Sequence, residues 1–191
     1  MPLLRMRDAT FATVGDRVGP ISIDLHHGGR AALVCACARD AQIVSLLAAG
    51  IVKASSGCVL IDDYDPRVQS VACKRAAALV PHEPFALDER EFARYVAYRA
   101  ALWNVELRRA QLHASLLRKR LAPMHEAFAY PLIGALIGMP KLLIIDRPAP
   151  VYAPTILNAT RGRALLTVHA DAAAARAFAS NVESVAAGGR S

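Results

Sequence analysis

Two polar residues stand at the ends of otherwise apolar runs. Lys141-Leu142-Leu143-Ile144-Ile145-Asp146 reads as a short strand closing on a carboxylate, and Ala164–Val168 reads as a second strand followed by His169. Open α/β sheets bind ligands at the carboxyl ends of their strands, and in nucleotide-hydrolysing folds an Asp at such an end holds Mg²⁺ directly or through water. Asp146 could do that, or form a local ion pair or turn cap. His169 could face a ligand, or be a satisfied structural histidine. Metal chemistry finds no support elsewhere: His26-His27, His113 and His125 lack ligand spacing, and Cys35, Cys37, Cys58 and Cys73 lack the paired two-residue spacing of a zinc site. Buried thiols packing as small hydrophobes are the expected reading, with no metal bound.

The elements that must position these residues follow from periodicity. Leu3–Phe11 and Ile21–Leu25 alternate in the manner of strands, and Ala31–Ala38 is a continuous apolar run suited to a strand buried on both faces. Asp40–Ile51 carries apolar residues at helical spacing, so the unit is strand, short loop, helix, the opening of an α/β domain. A strand at Cys58–Ile61, a polar turn at Asp62–Pro66 and a helix or strand into Ala76–Val80 follow. From Leu87 to Leu121 there is neither glycine nor proline, and Asp88 with Glu91 three residues on is a capping box that starts a helical segment. Tyr130–Ile137 is apolar at helical period, and Ala170–Ala186 reads as an alanine-rich helix before a Gly-Gly-Arg-Ser tail.

The 191 residues carry 23 Lys+Arg against 16 Asp+Glu, a formal charge of +7, and 54% hydrophobic residues, enough for one folded core. No uncharged apolar run is long enough to span a bilayer and no signal peptide is recognisable, so a cytoplasmic location is expected. Between Asp88 and Arg120 there are eight basic and four acidic residues, so more than half of the excess charge lies on the helical segment. That segment is either a solvated face or a docking surface for an acidic partner or a lipid headgroup layer, with Arg94, Arg99, Arg108 and Arg109 as candidate contacts. No base-reading motif accompanies the positive charge, and nucleic acid is not an expected partner.

In order along the chain these segments resemble the ATP-binding cassette (ABC) transporter ATPase family. Leu46–Ile51 followed by Ser56–Asp62 is similar to the family's first helix and the hairpin after it; Ala78–Glu83 resembles the strand into the Q-loop, and Leu87–Glu91 the start of the helical subdomain. Ala135–Pro148 is the closest match, to the strand that ends in the Mg²⁺-binding Asp, and Leu166–His169 matches the strand ending in the switch histidine. The resemblance implies a P-loop NTPase-like α/β core with a mixed or parallel sheet, divided as 1–86, a helical subdomain at 87–126 and 127–191, within one overall domain. It also implies that Phe11, Asp146 and His169 are relics of the nucleotide site, Phe11 near the adenine-stacking position.

The departures fall on the positions that touch nucleotide. Counting back from Gly50, the phosphate loop should occupy Cys35–Ile43, where no glycine occurs, Ala41 stands for the lysine, Gln42 for the hydroxyl, and Asp40 brings negative charge. That motif works because glycines let backbone N–H groups approach phosphate while the lysine reaches its oxygens. His82 stands for the Q-loop glutamine, Arg147 for the catalytic carboxylate, and Ala122–Glu126 for the signature sequence. An arginine stays protonated and cannot act as a base; Arg147 could pair with Asp146 or reach a partner. The expectation is therefore a catalytically inactive ABC ATPase-like subunit, structural or regulatory in a membrane transporter complex. Its partners would be a transmembrane permease subunit, an ABC ATPase homologue, or both, in a homo- or heterodimer, and it would sit peripherally on the inner membrane face. No cofactor is expected; the alternative is a subunit that keeps weak ATP and Mg²⁺ binding or slow hydrolysis beside a competent partner.

Overall fold

A computed structural model describes residues 1–185; the expected tail and Ala186, the last residue of the expected C-terminal helix, lie outside the described residues. The elements in chain order are β1 (Leu4–Ala12), β2 (Arg17–Leu25), β3 (Arg30–Val34), α1 (Ala38–Ala48), β4 (Ser56–Ile61), α2 (Ser70–Ala76), β5 (Ala77–Val80), α3 (Glu89–Trp103), α4 (Leu107–Arg120), α5 (Glu126–Leu136) and β6 (Leu142–Asp146). A 3-10 turn at Pro150–Tyr152, α6 (Ala153–Ala159), β7 (Ala164–His169), α7 (Ala172–Arg176) and β8 (Val182–Ser184) complete them. A parallel sheet runs in the order β5-β6-β7-β3-β8, and an antiparallel sheet in the order β2-β1-β4.

Strand alternation divides the core into two layers. Leu142, Ile144, Ala164, Leu166 and Val168 pack with α1 and the antiparallel sheet, while Leu143, Ile145 and Leu165 pack with α3 to α6. Parallel strands covered on both faces read as unbroken apolar runs, which is why the sequence pattern at β6 and β7 is so plain. α5 is apolar on all sides because it lies between the sheet and the α3–α4 pair. Pro131 inside α5 removes an N–H, and the carbonyl of Ala127 that would have received it accepts instead from the Phe85 N–H at 3.2 Å. The helix thereby gains a tie to the loop after β5.

Two expectations are corrected, at Ala31–Ala38 and at the helix from Ala170. The run Ala31–Ala38 does not continue as a strand beyond Val34, because Cys37 turns to cap α1, its Sγ accepting from the Asp40 N–H at 3.5 Å. The expected helical segment forms as two helices, α3 and α4, parted where Asn104 adopts a left-handed conformation. The expected long helix from Ala170 ends after five residues at Arg176; Phe178 instead stacks beside His169, and β8 joins the parallel sheet against β3. Alanine favours helix, but here strand pairing and the burial of Phe178 outweigh it.

α3 lies against α5 closely enough to demand glycine at two positions. A Cβ on Gly134 would stand 2.0 Å from the Tyr95 Oη, and one on Gly138 1.9 Å from the Trp103 ring. We expect Gly138→Ala to lower stability to chemical denaturation by about 1–3 kcal/mol, the range for overpacking. Trp103→Leu in the same chain should recover part of that loss; equal, additive losses would show that the two residues do not oppose each other.

Candidate functional site

The site is built at the carboxyl edge of the parallel sheet. Asp146 ends β6, is 4% exposed, and belongs by alternation to the α1 face. Both of its carboxylate oxygens accept from Arg147, Nε to Oδ1 and Nη2 to Oδ2, each at 2.9 Å. For the guanidinium to fold back onto its own neighbour, Arg147 takes a left-handed backbone with φ of 46°. A side chain in that region is strained, and the strain is offset by the paired buried charges and by the Arg147 N–H donating to the Val168 carbonyl at 2.7 Å. The neighbouring carboxylate raises the Arg147 pKa further. His82 backs the turn from the loop after β5: its Nδ1 lies 3.2 Å from the Arg147 carbonyl, which can only accept. Of the two roles open to Arg147 in the sequence, the structure selects the pair with Asp146.

The connection from β3 to α1 is three residues, Cys35 to Cys37. Six of the nine residues expected to form the phosphate loop are therefore already helical, and Ala41 is fully buried in the first turns of α1. A phosphate cradle needs a longer glycine-rich loop whose N–H groups converge on the anion, and this connection has neither the length nor the glycines. Arg39 from the same turn pairs with Asp16 at 2.5 Å, joining α1 to the β1–β2 hairpin. Cys35 is buried and its thiol is pushed up to about 12 by desolvation, so it is inert at neutral pH. Cys73 is also buried, but Cys37 and Cys58, expected to pack in the core as well, are only partly buried: Cys37 caps α1 and Cys58 lies near the start of β4.

His169 is 2% exposed and, by alternation, faces the layer of Leu165 and Phe178 rather than that of Asp146. Its Nε2 and the Thr167 Oγ1, two residues apart on the same face, are buried without a hydrogen-bond partner. Burial lowers the His169 pKa to about 4 against the opposing influence of Asp171 and Asp146. The ring is thus neutral under ordinary conditions.

The other expected positions are dispersed. Phe11 lies on β1 opposite Val18 in the antiparallel sheet, and among the described residues no hydrogen bond or aromatic contact joins it to Asp146 or His169. Gln42 lies within α1. The segment Ala122–Glu126 forms a turn into α5, with the His125 Nδ1 accepting from the Ala127 N–H at 3.3 Å to cap the helix. Arg99 is a correction: its Nε donates to the Gly134 carbonyl at 2.9 Å, so it ties α3 to α5. Arg94, Arg108 and Arg109 are exposed on α3 and α4.

A cleft that sequence reasoning missed opens beside Arg147. It encloses about 40 Å³ between the loop Pro81 to Pro84, the start of α5 and the segment Pro148 to Tyr152. Phe128 and Tyr152, 5.8 Å apart, rim it, and Glu83 adds a carboxylate. Its one sequence signal is the density of prolines at 81, 84, 131 and 148, which fixes three separate backbones at one place.

Two measurements test this geometry. Arg147→Met leaves a buried carboxylate uncompensated and should cost about 3 kcal/mol in urea unfolding, whereas Asp146→Asn with Arg147→Met should lie closer to the parent; additive losses would show no coupling. Because unfolded histidine titrates near 6.5 and folded His169 near 4, the unfolded chain binds the extra proton between them. Stability should therefore be full above pH 6.5 and fall on acidification toward pH 4, by about 3 kcal/mol in all. His169→Leu should flatten that part of the stability profile; an unchanged profile would assign the acid loss elsewhere.

No protein-family model matches the chain, and no curated protein matches it in sequence. Solved structures do match in shape. An ATP-binding subunit of an ABC transporter superposes with a TM-score of 0.79 at 16% identity, over 96% of this chain and 85% of that one. CbiO1 from Clostridium perfringens, part of the ABC transporter complex cbiONQ, gives 0.75 at 16% identity over 96% and 84%. A dimeric ATP-binding cassette in a post-hydrolysis state bound to ADP and Pi gives 0.71 at 12% identity over 95% and 94%. At these identities the likeness concerns the fold, and the chain has the α/β fold of ABC-transporter ATP-binding subunits.

Proposed function

We propose that this chain is a catalytically inactive ABC ATPase-fold subunit that serves as a structural or regulatory component of a membrane transporter complex. The observation that carries the reading is the Asp146–Arg147 pair: the carboxylate where such folds hold Mg²⁺ is neutralised by a guanidinium from its own chain. The three-residue β3–α1 connection supports it, since it supplies no cradle for phosphate. Arg147 also stands where a general base would be needed and cannot accept a proton. Partners follow from the fold's relatives, which include a component of a transporter complex and a dimer. A permease subunit and a second ATPase-fold subunit, of the same or another kind, are the partners of this reading, with the chain held on the inner membrane face through them.

The cleft at Pro81–Pro84 is the place for the permease contact in this reading. It is concave, mostly apolar with Glu83 and Arg147 on its lining, and rimmed by Phe128 and Tyr152, so it can accept one or two apolar side chains from a short helix. Arg94, Arg108 and Arg109 do not line it.

Calorimetric titration of the purified protein with ATP and Mg²⁺ tests the central claim. We expect no saturable binding, and Arg147→Glu should not create it because the β3–α1 connection stays short. Micromolar binding to the parent protein would overturn the reading in favour of a nucleotide-binding subunit. Affinity purification from membranes should retain a transmembrane protein, lost with Phe128→Glu. A chain recovered only as a free monomer would count against a complex.

A further inference from the structure

α4 presents to solvent a surface that the cleft and the sheet edge leave unexplained. Its buried residues are Ala110, Ala114 and Leu117. On the opposite side Leu112 is 64% and Leu116 48% exposed, one turn apart. Around them stand Arg108 and Arg109 at one end and Lys119 and Arg120 at the other, all exposed. Residues 107–120 contain no Asp or Glu, and among the described residues none of these four cations lies within salt-bridge distance of a carboxylate. Arg118 is the exception on this helix: it turns inward to Glu89 and Glu126 and lies over the Phe92 and Tyr130 rings. The helix thus separates one structural arginine from four cations without a side-chain ion pair among the described residues; the one carboxylate nearby, Glu106, caps the helix and accepts from the Arg108 and Arg109 N–H groups.

The positive field extends past the helix. Arg163, before β7, is half-buried beside Arg120, and His113 on α4 feels Arg163, Arg120 and Arg109 together. Burial and these like charges depress both groups. An anion placed outside α4 would relieve repulsion that the fold itself leaves standing.

We propose that the outer face of α4 lies on an anionic bilayer surface, with Leu112 and Leu116 at the headgroup–acyl boundary and Arg108, Arg109, Lys119 and Arg120 among the lipid phosphates. Charge complementarity requires an anionic occupant, and shape selects among anionic ones. The exposed leucines form a ridge on a convex helix, and the groove beside it, between α3 and α4, carries the Glu89 carboxylate and so disfavours an acidic protein's side chain. A soft interface accepts such a ridge directly: interfacial helices combine buried apolar residues with cations at headgroup level. A polynucleotide would use the cations but leave the leucines idle. This inference is independent of the permease cleft, which α4 does not line, so either stands without the other.

Co-sedimentation with protein-free vesicles tests it, since no permease is present. The full chain should bind phosphatidylcholine vesicles containing phosphatidylglycerol and bind pure phosphatidylcholine at least ~100-fold more weakly, since four cations worth about fivefold each at an anionic leaflet give several hundredfold. Arg109→Glu with Arg120→Glu should lower partitioning by roughly 30-fold or more. The charge-neutral pair Leu112→Ser with Leu116→Ser should also weaken binding, several-fold. Circular dichroism checks folding, and Arg108→Gln with Lys119→Gln is the milder second pair. Equal binding to both vesicle types, no binding, leucine variants that bind like the parent, or a single-stranded polynucleotide that outcompetes vesicles would each overturn the proposal.

Discussion

A carboxylate at the end of a central, fully covered strand must be given a counter-charge or not be charged at all, and Asp146 is such a group. Here the counter-charge is the next residue in the chain. Arg147 has a left-handed backbone, and from it the guanidinium reaches both oxygens. The reversal directs Pro148 and the 3-10 turn outward toward α5, and His82 closes over the Arg147 carbonyl from the neighbouring strand's loop. The floor of the cleft is therefore a consequence of how one buried charge is satisfied.

The same economy appears on the other side of the cleft. Pro131 leaves the Ala127 carbonyl without its helical donor, and the Phe85 N–H takes that place, so the loop after β5 is held to α5 by a bond that a regular helix would not have offered. Arg99 does likewise at the last turn of α5 through the Gly134 carbonyl. Glycine at 134 and 138 lets the rings of Tyr95 and Trp103 lie against the helix backbone. Helical hairpin, α5 and sheet edge thus form one packed unit whose contacts do not depend on a bound ligand. The residues that hold these layers together are therefore different residues from those at the strand ends.

Much of this architecture was legible in sequence wherever one physical rule acted alone. Strands β6 and β7 are unbroken apolar runs because helices cover both sheet faces, and α3 begins at Asp88 because a capping box satisfies its first N–H groups. Legibility failed where two rules competed. The apolar run from Ala31 reads on as strand, yet Cys37 is worth more as a helix cap than as strand. The alanines after Asp171 favour helix, yet the edge of β3 is better covered by β8 and Phe178 is better buried beside His169. Arg99 shares its type and spacing with exposed arginines, and only the approach of α5 separates it from them.

The sequence by itself determined the α/β class, most strands and helices as far as β7, the identity of the residues at the strand ends, and the absence of glycine and lysine from Cys35–Ile43. These are local facts, carried by periodicity and residue chemistry. Tertiary structure alone decided that Arg147 turns inward to Asp146, that Asp146 and His169 face different layers, that prolines 81, 84, 131 and 148 meet around one cleft, and that four cations of α4 form no side-chain ion pair among the described residues while Arg118 forms two. The reason is physical: a charge takes its meaning from the groups within a few ångströms of it, and those are set by packing between segments far apart in the chain.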